Sequence, residues 1–234
     1  MKKKNLFGEV FTFIDASSII TKTALWACRG MHQLLPILEH TLGKQLVLPE
    51  RKIRSVEEFL EKFPEAKDVF FDGSERPIQK PKNQKRKKKL YSGKKKQTTR
   101  KNIVVTNEKK KILILAPTKS GRRHDKRLAD KFNMIRVVPK DVTIWVDTGF
   151  QGIQKIHDKT MIPLKATKTN PLSEVQKQNN RTISGIRIVV EHALAGLKRL
   201  KVSSDIYRNR IPNTDDRFNL LSAGLWNFHL QQTA

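Results

Sequence analysis

Short apolar runs divided by polar stretches set the framework of this chain. Val69, Phe70 and Phe71 form one compact run that ends at Asp72 and Gly73. Ile103–Val105 and Ile112–Leu115 form two more, joined by a turn at Asn107–Lys109. Val142–Val146 forms another, ended by Asp147, Thr148 and Gly149. Runs of this length, rich in β-branched and aromatic residues, predict buried strands. Ile162–Leu164 predicts a shorter strand, and Val10–Ile14 one near the N-terminus. Helical patterns lie between them. Residues 31–45 predict a short helix interrupted by Pro36. Ser55, with Glu58 three positions on, has the capping-box spacing and opens a helix that Pro64 closes. Arg123–Phe132 predicts a further helix. The clearest is Thr182–Leu200, whose Ile183, Ile186, Val190, Leu194 and Leu197 recur at three and four and form one core-facing stripe. Residues 167–180 are polar, and no solenoid-length repeat is present. A mixed sheet with helices on its faces, an α/β sandwich, is the expected fold class.

Composition narrows the partner. The chain has 234 residues, enough for one substantial core, with 37% hydrophobic and 30% charged residues. Its formal charge of +26 points to a polyanion. A membrane surface is the rival, but no long amphipathic basic helix stands out. Lys80–Lys101 holds twelve lysines and arginines and no acidic residue. It reads as a solvated loop whose charge would neutralise the phosphates of a nucleic acid. Tyr91 is its only aromatic, so base stacking is not its main role. The single cysteine, Cys28, excludes an internal disulfide and fits a reducing compartment. The opening MKKK and the apolar residues after it resemble a signal peptide, but Glu9 and Asp15 interrupt the run. No apolar stretch is long enough to span a membrane.

Against this basic background three carboxylates have distinctive settings. Asp72 and Asp147 each end an apolar run, and Glu191 lies in the last helical pattern. A fixed strand end and a neighbouring helix are where a site for two divalent cations and a phosphodiester draws its oxygen ligands. Arg187 and Lys198 fall on the Glu191 flank of that helix and are candidates to hold the scissile phosphate. Taken singly, each acid has an ordinary alternative: a turn residue for Asp72 and Asp147, a surface ion pair with Arg187 for Glu191.

The strings around these residues resemble the DDE superfamily endonucleases of bacterial insertion sequences, the DDE transposases. The matching segments are LLPILEHTLGKQLVLPER, FFDGSERPIQKP, YSGKKK, SGRRHDKRL, DTGFQG and EHALAGLKR, in that order from about Met31 to the C-terminus. The resemblance implies a ribonuclease-H-like mixed sheet flanked by helices, with Asp72, Asp147 and Glu191 as catalytic and metal-binding residues and two Mg²⁺ or Mn²⁺ ions as cofactors. It implies double-stranded DNA as partner, a homo-oligomer when active, no membrane, and a bacterial cytoplasmic, nucleoid-associated location. Lys94, Lys95, Lys96 and Lys165 join Arg187 and Lys198 as DNA-binding candidates. His124 and Asp125 match the family's HD element, as support for the site or simple helix capping. Gln151 is either turned to substrate or an ordinary turn residue.

The chain also departs from the pattern. Thr98 stands where relatives often have histidine, and Ile103 where they have glutamine, which puts activity in question. Asp147 and Glu191 are only 44 positions apart, too few for a large insertion domain. Residues 1–30 resemble the first catalytic strand of a different insertion-sequence group, with Asp15 as its acid. The expected organisation is therefore an extension at 1–30, a remnant of a truncated N-terminal helical region at 31–66, and a catalytic domain at 67–234. The leading expectation is metal-dependent strand cleavage and strand transfer. The alternatives are an inactive, truncated remnant that only binds DNA and, less compatible with the ordered acids, a basic RNA-binding protein.

Overall fold

The structure, a computed structural model, describes residues 14–167 and 170–233. The chain divides into two compact units, residues 1–44 and 45–234. In the first, α1 (Ile14–Lys44) is one helix with Pro36 inside it. The pyrrolidine removes one backbone donor there without dividing the helix. The segment expected to be helical at 31–45 is thus the end of a longer helix, and residues 30–31 lie within it. Val10–Phe13 of the expected N-terminal strand falls outside the described residues. Ile14 and Asp15 begin the helix, so Asp15 does not sit on a strand.

The second unit is a mixed sheet with helices on both faces. Its strands are β1 (Asp68–Pro77), β2 (Tyr91–Ser92), β3 (Gln97–Asn107), β4 (Ile112–Leu115), β5 (Lys119–Ser120), β6 (Thr143–Trp145) and β7 (Thr160–Met161). Its helices are α2 (Val56–Lys62), α3 (Gln84–Leu90), α4 (Asp125–Lys131), α5 (Glu174–Lys198) and α6 (Thr214–Thr233). β1 is central, antiparallel to β3 on one side and parallel to β6 on the other, with β7 parallel beyond β6. β2, β4 and β5 all pair with β3.

Alternation along β1 assigns the two faces. Val69 and Phe71 face a core shared with Phe59 of α2, Leu128 and Ala129 of α4, and Phe150. Phe70 faces the other way, with Val104, Ile112 and Leu115, onto Val190, Ala193, Leu194 and Leu197 of α5 and Ala223 of α6. Asp72 inherits the Phe70 face, toward α5. Gly73 inherits the α4 face.

Several elements differ from the sequence pattern for identifiable reasons. β1 runs past Asp72 to Pro77, because β3 pairs with it along that whole length. The basic segment is not a loop: α3, β2 and the start of β3 are cut from it. α5 begins at Glu174, well before Thr182, because Ser173 caps it. Ser173 Oγ accepts from the Gln176 amide at 3.2 Å, and Gln176 Oε1 accepts from the Ser173 amide at 3.0 Å. Only the second half of the expected stripe is buried; Ile186 is exposed. At α2, Ser55 Oγ does accept from the Glu58 amide, but the Glu58 carboxylate takes the Arg54 amide instead of closing the box.

Helix α6 has no counterpart in the pattern, because much of its buried side is polar. Asn227 accepts from the Ile112 amide and donates to the Ile112 and Val47 carbonyls, each at 2.8 Å. Asn219 donates to Asn102 at 2.8 Å. Asp216 accepts from the Thr118 amide and hydroxyl at 2.7 and 2.6 Å and pairs with Arg51 at 2.6 Å. The helix meets α5 closely: a Cβ on Gly196 would stand 2.2 Å from the Trp226 ring.

Two predictions follow from α6. Gly196→Ala forces Trp226 from its place and costs about 1–3 kcal/mol of stability, read by urea denaturation. Burial pushes the Asp216 carboxyl upward, but the Thr118 bonds and the Arg51 charge outweigh it and hold the group below the ordinary range. A lowered folded-state value stabilises the fold above the unfolded-state value and is lost as pH falls through the folded one. The stability gap between wild type and Asp216→Asn therefore closes as pH drops from neutral through the carboxylate range. A constant gap would mean that the Asp216 charge contributes nothing.

Candidate active site

Strand register brings two of the predicted acids together. Phe70 of β1 pairs in parallel with Trp145 of β6. Two residues further along each chain stand Asp72 and Asp147, on neighbouring strand paths about 4.8 Å apart. Their bases are anchored by aromatic contacts. Phe70 and Trp145 stack with centroids 6.2 Å apart, and Trp145 Nε1 donates to Asp68 at 2.6 Å. Phe150, in the 3-10 turn that Asp147 caps, meets Phe71 edge to face at 6.2 Å. Asp147 Oδ1 accepts from the Gly149 amide at 2.8 Å.

Asp125 is the third carboxylate at this place. A Cβ on Gly73 would lie 2.6 Å from Asp125 Oδ1. One on Gly149 would lie 2.9 Å from Asp147 Oδ1 and 3.3 Å from Asp125 Oδ2. Both glycines are there because carboxylates occupy the space a side chain would need. Burial pushes the Asp72 carboxyl up, and the nearby Asp147 and Asp125 charges add to it. The Gly73 amide and the Arg187 guanidinium, 3.5 Å from Asp72 Oδ2, only partly oppose this.

Asp125 is fixed from below by a buried cation. Lys101 Nζ lies 2.8 Å from Asp125 and 2.9 Å from Glu75, and all three side chains are nearly inaccessible. Burial lowers the Lys101 pKa, but the two carboxylates outweigh it and hold the ammonium charged. Thr99 Oγ1 donates to Glu75 at 2.8 Å, and Lys101 Nζ also donates to the Arg123 carbonyl at 3.0 Å. The HD element is therefore no capping device. His124 occupies the cap position without a side-chain bond, and Asp125 turns to Lys101.

Residues 71–227 match the profile of the DDE superfamily endonucleases. A protein of Microchaete diplosiphon described as a probable transposase for insertion sequence element IS702 is 35% identical over 208 residues, covering 87% of this chain and 69% of that one. The chain belongs to the DDE superfamily endonucleases. No solved structure matches it.

The remaining candidates of this DDE chain fall into two groups. At about 100° per helical residue, Arg187, Glu191 and Lys198 lie within about 40° of one another on α5. Burial and the Lys95 charge lower the Lys198 pKa, opposed by Asp72 and Glu75, so this lysine and the Lys94–Lys96 turn border the same place. Arg187 itself is buried against Asp72, while Glu191 is exposed. Lys165 and Gln151 are exposed on irregular segments, away from hydrogen-bond contact with the acids. Among the described residues, no three His, Cys, Asp or Glu side chains converge closely enough to hold a metal ion. The two departures from the family pattern are inward: Thr98 is buried and donates to the Ile78 carbonyl at 3.1 Å, and Ile103 lies in the core.

Sequence reasoning missed Glu75 and Lys101. A signal existed for the lysine: it shares the two-residue period of Ile103 and Val105, which places it on a core face where a charge must be paired. Lys101→Met leaves two buried carboxylates without their cation and costs about 3–5 kcal/mol. Lys109→Met, which breaks an exposed pair with Glu65, costs under about 1 kcal/mol. Urea denaturation of both variants checks the contrast; equal costs would remove Lys101 from its structural role.

Proposed function

We propose that this chain is a DDE transposase that cleaves a DNA strand at an insertion-sequence end and transfers the resulting 3′-hydroxyl to target DNA. The observation that carries this reading is the parallel register of β1 and β6, which sets Asp72, within β1, beside Asp147, just beyond β6. The β4-β3-β1-β6-β7 arrangement supports a ribonuclease-H-like core. Double-stranded DNA is the partner that the net charge of +26 favours, and a homo-oligomer is the expected acting form. No described helix is long and apolar enough to cross a membrane.

The residues present fit a hard divalent cation such as Mg²⁺ or Mn²⁺. The donors are carboxylate oxygens, and burial with two like charges pushes the Asp72 carboxyl up, a penalty on its charged form that a bound cation would offset. Asp72 and Asp147 would hold it, with Glu191 of α5 as the third carboxylate of the set. Such ions activate the attacking oxygen and neutralise charge on the leaving one. The chain's own part is positioning. Arg187 orients Asp72, Lys101 fixes Asp125 behind the pair, and Lys95 and Lys198 offer charge to the phosphates on either side of the scissile one. Lys94, Lys96 and Lys165 extend the basic surface along the DNA backbone.

The exposure of Glu191 favours a second reading, an inactive remnant that still grips DNA. One experiment separates them: Mn²⁺-dependent nicking of a plasmid carrying the element ends, with wild type, Asp147→Asn and Glu191→Gln. Cleavage by wild type, a loss of at least about 100-fold in both variants, and unchanged salt-sensitive DNA binding support the transposase. DNA binding without cleavage by any of the three supports the remnant.

A further inference from the structure

A cleft opens beside the basic segment, away from the acids. Gln84, Lys87, Lys88 and Tyr91 follow one another at three, four and seven positions, so they share one face across α3 and its end. Arg122 completes the lining of a cleft with a volume of about 460 Å³. That is within the range of small-molecule sites. Its walls are fixed. Ser120 Oγ donates to the Lys89 carbonyl and accepts from the Arg122 amide at 3.3 Å. Gly121 packs so closely on β3 that a Cβ there would collide with Thr99. Tyr91 pairs with Thr98, so its backbone is held in the sheet.

We propose that this cleft receives one unpaired nucleotide of the DNA substrate, its base stacked on Tyr91 and its phosphate held by Lys87, Lys88 and Arg122. The chemistry of the lining requires both halves of that ligand. Cations alone would serve a phosphate, but Tyr91, an exposed residue among them, offers a flat aromatic face that a backbone contact does not use. Gln84 adds a donor and an acceptor for a base edge. A paired base is stacked on both faces and cannot reach such a ring; an extruded one can. The location fits as well. Arg122 is three residues before Asp125, at most about 11 Å along the chain. The nucleotide would therefore lie close to the phosphate at Asp72 and Asp147. The inference rests on the proposed DNA-cleaving role.

The test is fluorescence anisotropy of the full chain in EDTA, so that no strand is cut, with two labelled duplexes. One is fully paired; the other is identical but carries a single unpaired nucleotide. Wild type should prefer the second. Tyr91→Ala should lose affinity for it by about 5- to 150-fold, with binding of the paired duplex unchanged, while Tyr91→Phe keeps the preference. Equal affinity of wild type for the two duplexes, or equal weakening of both by Tyr91→Ala, overturns the site and leaves the DNA-cleaving reading standing. Failure of wild type to bind either duplex overturns both.

Discussion

The fold depends on the compensation of charges carried inside its central strand. Asp72, Glu75 and Arg76 all lie on β1, which has a neighbour on each edge and helices over each face. A buried charge without a partner costs several kcal/mol, so each must be answered by another element. Arg187 of α5 answers Asp72, Lys101 of β3 answers Glu75, and Arg76 donates to the carbonyls of Val202 and Asp215 at 2.6 and 3.0 Å. The same bonds that neutralise the strand therefore fix the helices and the second strand around the site. Apolar burial determines that a sheet forms, and the charges determine how its upper end is assembled.

This division explains how much was legible beforehand. The hydrophobic strands were readable because Val69–Phe71, Val104–Val105 and Ile112–Leu115 carry little else. The acids at their ends were readable for the same reason: a polar residue closing an apolar run is conspicuous. Asp72 beside Asp147 then follows from register alone. What escaped was held by polar contacts. Helix α6 buries Asn219, Ser222 and Asn227 and so presents no apolar stripe. The lysine-rich stretch resembled a solvated loop because charge counts do not show that Leu90 and Ser92 anchor it while its lysines face outward. Lys101 was lost among eleven other cations of that stretch, although its environment is opposite to theirs.

The site also shows how glycine and aspartate are matched. In both FFDGS and VDTGF the acid is followed within two residues by a glycine whose missing side chain leaves room for a carboxylate. At Gly73 that carboxylate is Asp125; at Gly149 it is Asp147 itself, with Asp125 beyond. Asp125 thus belongs to the geometry of both strand ends, although it comes from a helix.

The treatment of the β4 edge has a consequence for assembly. The Asn227 amide takes both backbone groups of Ile112, and Glu50 bridges the strand beyond it, donating to the Leu113 carbonyl and accepting from the Leu115 amide. An open sheet edge is a template for another chain. Here that template is filled from within the molecule, by one side chain and one turn of its own backbone. Among the described residues, the backbone of Ile112, Leu113 and Leu115 is therefore left with nothing to offer a further strand past β4. Any contact that another chain makes along this edge has to be built from side chains, because the backbone groups that would carry a further strand are already spent.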